Sequence, residues 1–436
     1  MDGLREYARS LRTFSPNARR YLATTALFGV GTAFQWLFFN LYVLSLGFDQ
    51  AFVGLLAGIP ALVTAASALP IGILLPRIGY RRSLLVGCIL FVAAFVGWAF
   101  FPTRSVLVAG SVLAGLGSSL LLVTSSPLMV ASSTAGNRTQ LFGVQFGLNT
   151  LVGVVANLAG GYLPRLFAGA FRIPIESPTA YRAVLLVAMT LAATAIVPIV
   201  RLRGLGGNRS ERPIDMRRIA GSWPILGKLL AVQLTISLGA GMLMPFVNVF
   251  YKLRFDLPDP SLGTVFSLSS LLTGVSALAA PLVAARIGKV RTIVLTQALS
   301  LPFLAAMGFS PWFGLSATGF LVRTALMNMS SPVFMAFTMG LVPGSLRPLT
   351  SALLILAWNA GWAISSALSG FIQVSIGFWP LFVITGSIYA LVVALTYALF
   401  RNTRELPEPE IADTLPIDEE LRVFRNRAYV RATTSA

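Results

Sequence analysis

The residues in this sequence best able to do chemistry are few, and most are suited to binding rather than reaction. Arg323 is the one charged residue inside the apolar run at residues 312–341. At 1.5 Å of rise per residue, it falls near the middle of a helix of that length. A buried arginine costs about 2.5 kcal/mol or more in a bilayer and normally faces a cavity or a partner. The expectation is that Arg323 binds an anionic or strongly polar group. The plainer alternative is an arginine tied to backbone carbonyls or buried amides across a bundle. Amides form the next tier: Gln35, Asn40, Gln145, Asn149, Asn157, Gln233, Asn248, Asn328 and Asn359 all interrupt apolar runs. Gln145, Asn149 and Asn157 fall at fourfold spacing, which puts them on one helix face. Such amides either line a cavity or bond between helices, the latter worth about 1–2 kcal/mol at most. Trp358 and Trp362 are one helical turn apart and Trp36 adjoins Gln35, so indole faces are on offer for stacking or for packing.

What is missing narrows the chemistry further. The sequence has no histidine and one cysteine, Cys88, within an apolar run. Disulfides within the chain and transition-metal sites built from His and Cys are thereby excluded. The fifteen acids all fall in predicted loops or tails, with Asp49, Asp256 and Asp259 at helix ends. No catalytic constellation emerges, so neither enzyme activity, a metal nor a cofactor is expected.

The elements that must position these residues follow from composition. The chain has 436 residues, 56% hydrophobic and only 11% charged, whereas a soluble domain carries about 25% charged residues. Lipid must cover most of such a surface. Twelve apolar runs are long enough to cross a bilayer, at residues 21–47, 51–75, 83–101, 105–131, 140–164, 180–200, 225–251, 262–285, 291–309, 312–341, 349–373 and 378–400. The fold class expected is all-α integral membrane. With a cytoplasmic amino terminus, twenty-six of the 33 Lys and Arg fall inside, six outside, and Arg323 within a span. That partition puts both termini in the cytoplasm of a multi-pass plasma- or inner-membrane protein. The net charge of +18 resides in loops between spans, so nucleic acid is not an expected partner. Residues 1–20 read as a cytoplasmic segment with no cleavable signal, 201–224 as a basic, glycine-containing linker, and 401–436 as a solvated tail.

The sequence also repeats. The stretch Arg77-Ile78-Gly79, with Arg81 and Arg82 behind it, returns as Arg286-Ile287-Gly288 with Lys289 and Arg291. Asn40 returns as Asn248, Ser125-Ser126-Pro127 as Ser330-Ser331-Pro332, Asn149 as Asn359, and Gly160 as Gly370, at offsets between 205 and 210. Five matches in one order imply two related six-helix halves, 21–200 and 225–400, of a twelve-helix bundle with pseudo-symmetry. Gly54 with Gly58, and Gly115 with Ser119, are small residues at spacing four that allow helices to approach closely.

Two parallel six-helix halves, a long basic central loop and a basic loop after the second helix of each half resemble the major facilitator superfamily over about residues 20–400. That superfamily's loop follows Gly-x-Leu-x-Asp-Arg-x-Gly-Arg-Lys/Arg, matched here at Gly72, Leu74, Arg77, Gly79 and Arg81, with Pro76 in place of the acid. The resemblance implies alternating access of the two halves around a midplane site, with gating by Arg77, Gly79, Arg81, Arg82, Arg286 and Gly288. It also implies a central cavity lined by the tenth helix, and substrate binding is expected of Arg323, Gln35, Asn40, Gln145, Asn149, Asn248, Asn328, Trp358, Asn359 and Trp362. The implied function is facilitated or secondary active transport of a small polar or anionic organic solute by a monomer in the lipid bilayer. Export of amphipathic drugs or lipids by proton antiport is the alternative. The antiporter signatures are altered here, with Ser111 where an arginine is expected and Ala156 and Asn157 in place of Gly-Pro. A non-transporting receptor or scaffold is the alternative from another class. No acid is expected inside a span, so coupling is expected to be absent, by exchange, or carried by the solute.

Overall fold

The computed structural model describes residues 14–134, 137–203, 216–342 and 346–403. Among these, twelve helices are long and apolar enough to cross a membrane. In chain order they are α1 Pro16–Ser45, α2 Gln50–Ile78, α3 Tyr80–Phe100, α4 Arg104–Ala131, α5 Gln140–Phe171 and α6 Pro178–Val200 in the first half. The second half holds α7 Ser222–Phe255, α8 Asp259–Ile287, α9 Lys289–Phe309, α10 Phe313–Leu341, α11 Arg347–Ser375 and α12 Trp379–Phe400. The halves meet the expectation of two pseudo-symmetric sets of six, and the chain is a multi-pass membrane protein.

Local chemistry sets the helix ends. Ser15, Asp49, Thr103 and Ser177 each accept a hydrogen bond from a backbone N–H of the first turn that follows, satisfying a donor the helix leaves open. The basic loop of the sequence is hardly a loop. Gly79 alone separates α2 from α3, and Gly288 alone separates α8 from α9, at φ of 83° and 88°. That left-handed region is costly for any side chain bearing a Cβ. Arg77 thus lies in the last turn of α2, while Arg81 and Arg82 belong to the first turn of α3.

Some boundaries differ from expectation. α5 runs on to Phe171, because Pro164 is tolerated within it. α1 begins at Pro16, inside the expected terminal segment 1–20, and the helix that becomes α7 begins at Met216, inside the expected linker 201–224. The rest of that linker, and the tail beyond residue 403, lie outside the described residues. α7 is not continuous: its α-helix stops at Leu243, passes through a 3₁₀ turn at Met244–Phe246 and resumes at Val247. Pro245 has no N–H to continue the ladder, which accounts for the break.

The packed core divides along the helix axes. α1 starts, and α12 ends, at what is here termed the terminal end; the opposite is the far end. One large cluster joins the halves toward the far end, with Phe38, Tyr42, Phe95 and Trp98 of the first half packed with Phe246, Phe250, Tyr251 and Phe382 of the second. Toward the terminal end the core splits. One cluster there contains only first-half residues, such as Tyr21, Leu84 and Ile199. Another contains only second-half residues, such as Leu229, Phe337 and Phe400. The bundle is therefore closed at the far end and parted at the terminal end.

Candidate functional site: a cavity between the halves

The far-end seal is built from backbone contact and a few polar bonds. Adding a Cβ at Gly54 in α2 would place it 2.6 Å from the Ser366 carbonyl oxygen and 3.0 Å from Gly370 Cα in α11. Adding one at Gly161 in α5 would place it 2.8 Å from the Asp259 carbonyl and 3.0 Å from Gly263 Cα in α8. These two crossings are related by the repeat, so the partner of Gly370 is Gly161 and not Gly160, which faces the Phe34 ring instead. Asn40 Nδ2 donates to the Pro245 carbonyl at 2.5 Å, and Asn248 Nδ2 donates to the Leu37 carbonyl at 2.9 Å. Asn157 donates to Ser270 Oγ at 3.1 Å, and Ser267 donates to the Val154 carbonyl at 2.8 Å.

At the far end Lys252 of α7 bridges Glu176, at 2.5 Å, and Asp259 of α8, at 2.7 Å. Tyr181 of α6 donates to the same Asp259 at 3.4 Å. Asp259, expected at a helix end, is the first residue of α8 and is wholly buried. Pro258 supplies its helix start, and Lys252 its counter-charge.

Between this seal and the terminal end lies a cavity of about 450 Å³, within the usual range of roughly 300–1,000 Å³ for small-molecule sites. α1 contributes Thr32, Gln35, Trp36, Phe39 and Asn40; α11 contributes Trp358, Asn359 and Trp362. α2, α3 and α4 add Leu56, Thr64, Phe91 and Ser118, among others. Trp36 and Trp362 meet edge-on with centroids 6.0 Å apart, and Trp358 follows at 6.0 Å from Trp362. This aromatic wall spans both halves. Trp36 remains 59% exposed while lining the cavity, so the space is open rather than enclosed. No lining residue carries a charge. Ser111, the position at which the antiporter signature would have an arginine, lines the cavity and donates to the Leu107 carbonyl at 3.0 Å.

A second cavity of about 410 Å³ shares Trp36 as a wall and lies among α1, α5, α7, α8 and α10. Asn149, Ser269, Ser270 and Thr324 give it polar character, and Met244 and Phe320 close it. Its lining is uncharged too.

Of the residues expected to bind, Gln35, Asn40, Trp358, Asn359 and Trp362 line the first cavity and Asn149 the second. Asn248 lies in the seal. Gln145 is placed elsewhere, donating to Tyr21 Oη and Ser125 Oγ within the first half at 3.3 Å each. Asn328 turns back to the Thr324 carbonyl of its own helix at 2.9 Å. Arg323 lines neither cavity: it is 3% exposed, and its neighbour Met244 lines the second cavity in its place. Its Nη2 donates to Tyr389 Oη at 2.6 Å and its Nη1 to Met244 Sδ at 2.8 Å. Arg77, Arg81, Arg82 and Arg286 are exposed at the terminal end beside Gly79 and Gly288, away from both cavities. Thr32, Thr64, Ser118 and Pro245 line the first cavity without having been expected. A hydroxyl in an apolar helix gives little signal, because it also bonds its own backbone. Pro245 was visible as a break within a long run.

Among the described residues, twelve helices in two related halves, sealed at one end around an uncharged central cavity, make the architecture of a membrane transporter. The chain belongs to the Major Facilitator Superfamily, whose sequence pattern matches residues 21–228 and again 229–435. No curated protein sequence matches it. Solved structures share its fold. The crystal structure of a bacterial homologue of the human lysosomal transporter Spinster, inward-facing and unoccupied, is 12% identical with a TM-score of 0.72, covering 89% of this chain and 97% of that one. The nucleoside transporter NupG is 11% identical, with a TM-score of 0.71 over 88% and 99% of the two chains. A D-xylose–proton symporter is 12% identical, with a TM-score of 0.71 over 90% and 98%.

Proposed function

We propose that this transporter carries a small polar organic solute with a planar or apolar face, by alternating access of the two halves. The observation that supports this most directly is the open cavity itself. Its indole wall offers stacking surface, and Gln35, Asn40 and Asn359 offer donors and acceptors around it. Because the charged residues lie outside the lining, a protein-borne proton relay has no carrier there, which favours facilitated diffusion or exchange. With both termini in the cytoplasm of a cell or inner membrane, as the basic loops support, the state described is the inward-open one. Gly79 and Gly288 then form the inner hinges, with Arg77, Arg81, Arg82 and Arg286 beside them as gating residues of a monomer. Phe39, Leu56 and Phe91 in the same wall favour a second reading, export of amphipathic compounds.

Counterflow in proteoliposomes tests the proposal. The purified protein, screened against neutral aromatic and heterocyclic solutes, should accumulate a labelled solute against an unlabelled internal pool without an imposed ion gradient. Solute movement only under a pH gradient would overturn the uncoupled reading. A ligand-responsive protein that moves no solute would indicate a receptor.

A further inference from the structure

Arg323 is buried with less coordination than its chemistry calls for. A guanidinium carries five N–H donors and no acceptor. Here Tyr389 Oη takes one, and the Tyr389 ring lies 5.3 Å from the guanidinium carbon. Met244 Sδ takes another, although a thioether sulfur is a weak acceptor. Among the described residues Nε has no acceptor at all, and both described ion pairs belong to Lys252. The next residue repeats the pattern: Thr324 lines the second cavity, is 8% exposed, and its Oγ1 is also without a partner. Two adjacent residues, Thr324 in the cavity wall and Arg323 covered by Met244, thus hold buried polar atoms that no described protein group satisfies.

Met244 connects the two. It lines the second cavity and touches the guanidinium, so it lies where a ligand would approach the cation. It also opens the 3₁₀ turn that interrupts α7, and its side chain is unbranched and adaptable. A swing of that side chain uncovers Nη1 to the cavity without any helix moving.

We propose that the second cavity is a subsite for a carboxylate carried by the transported solute, which displaces Met244 Sδ from Arg323 and engages Thr324 Oγ1. The carboxylate supplies the counter-charge that the protein does not, and Trp36, common to both cavities, lies against the solute's planar body. This deepens the transport reading above and rests on it.

Benzoate and its neutral isostere benzamide are matched probes, read by tryptophan fluorescence of the purified full chain. Benzoate should bind about tenfold tighter than benzamide, the usual gain for a charge-assisted bond. In Arg323→Gln that preference should vanish while benzamide binding persists. Met244→Ala should tighten benzoate alone, by severalfold. Arg323→Met should melt no lower than the native chain, since an apolar isostere relieves an uncompensated charge; a large fall in Tm would assign the arginine to structural bonding with Tyr389. Equal binding of the two probes, or a preference that survives Arg323→Gln, overturns the subsite and leaves the transport reading standing. Binding of neither probe overturns the subsite as well, and the counterflow screen then judges the transport reading on its own.

Discussion

Asn40 and Asn248 make the same bond in opposite directions. Each donates its side-chain amide to a backbone carbonyl of the other half, Asn40 to Pro245 and Asn248 to Leu37. Leu37 and Pro245 are 208 residues apart, as are Asn40 and Asn248. The repeat has therefore preserved an interaction and not merely a residue type. Both bonds tie one half to the other at the sealed far end.

Removing either donor should open the far end more often, and by similar amounts. An interhelical hydrogen bond in a membrane protein contributes about 0.6–1.7 kcal/mol, so Asn40→Ala or Asn248→Ala should raise the open population by a factor between about three and about eighteen. A cysteine at the cavity residue Ser118 should then label faster with an impermeant maleimide added from the far side. The native Cys88 is buried and stays silent. If the two variants differ widely, the bonds are not equivalent parts of one latch.

The Lys252 cluster should respond unequally at its two acids. The Lys252 side chain is 8% exposed and that of Asp259 is fully buried, whereas Glu176 is 62% exposed. Breaking a buried pair leaves an uncompensated charge, typically at a cost of about 3–5 kcal/mol, so Lys252→Met should sharply lower thermal stability. Lys252→Met with Asp259→Asn should recover most of it. Glu176→Gln should cost at most about 1 kcal/mol, as an exposed partner does. Thermal unfolding of the three proteins in detergent decides this, and equal losses for the Glu176 and Lys252 variants would refute the division.

Glycine substitutions separate close helix crossings from open positions. Gly161→Ala must push α5 from the α8 backbone, where neither side has a flexible end to yield. Overpacking of that kind costs typically about 1–3 kcal/mol, and here it falls on the sealed state. Gly160→Ala meets only side-chain atoms, the Phe34 ring at 2.9 Å and the Phe38 ring at 3.6 Å, and Gly147→Ala meets nothing within 4 Å. Transport rate and Tm should therefore fall in the order Gly147→Ala least, Gly160→Ala next and Gly161→Ala most. A Gly161→Ala protein indistinguishable from Gly147→Ala would show that the crossing has slack.

Much of this arrangement was legible in the sequence, for identifiable reasons. Spans are long, apolar and bounded by charge, and a duplicated chain repeats its exceptional residues, so Asn40 and Asn248 stood out as a pair. Their acceptors did not, because any helix offers carbonyls and only the three-dimensional crossing selects Leu37 and Pro245. The Gly160–Gly370 match missed its register by one residue: α5 holds two adjacent glycines, and which one meets α8 depends on helix rotation. Arg323 marked the middle of a span, yet α10 also carries Ser316, Thr318, Thr324, Asn328, Ser330 and Ser331, and the sequence does not say which neighbour each of them meets. Tyr389 and Met244, the residues that cover it, come from α12 and the break in α7, both remote in sequence.

The uncharged lining of the first cavity makes the last prediction one about pH. Across about pH 5–8 only histidine titrates in its ordinary range, and the chain has none. Binding of a neutral solute should therefore be flat over that interval in the native protein. Gln35→Glu introduces a titrating group beside Trp36. Its protonated form resembles the native amide, whereas its ionised form needs a counter-charge the lining does not hold. Affinity of this variant should be near native at low pH and should fall as pH rises through the new carboxyl's titration. Trp362→Ala should weaken binding at every pH alike, because stacking surface does not ionise. Tryptophan quenching or calorimetry across the pH series reads both. A pH-dependent native protein would place a titrating group at the solute after all, and would reopen proton coupling as the driving force.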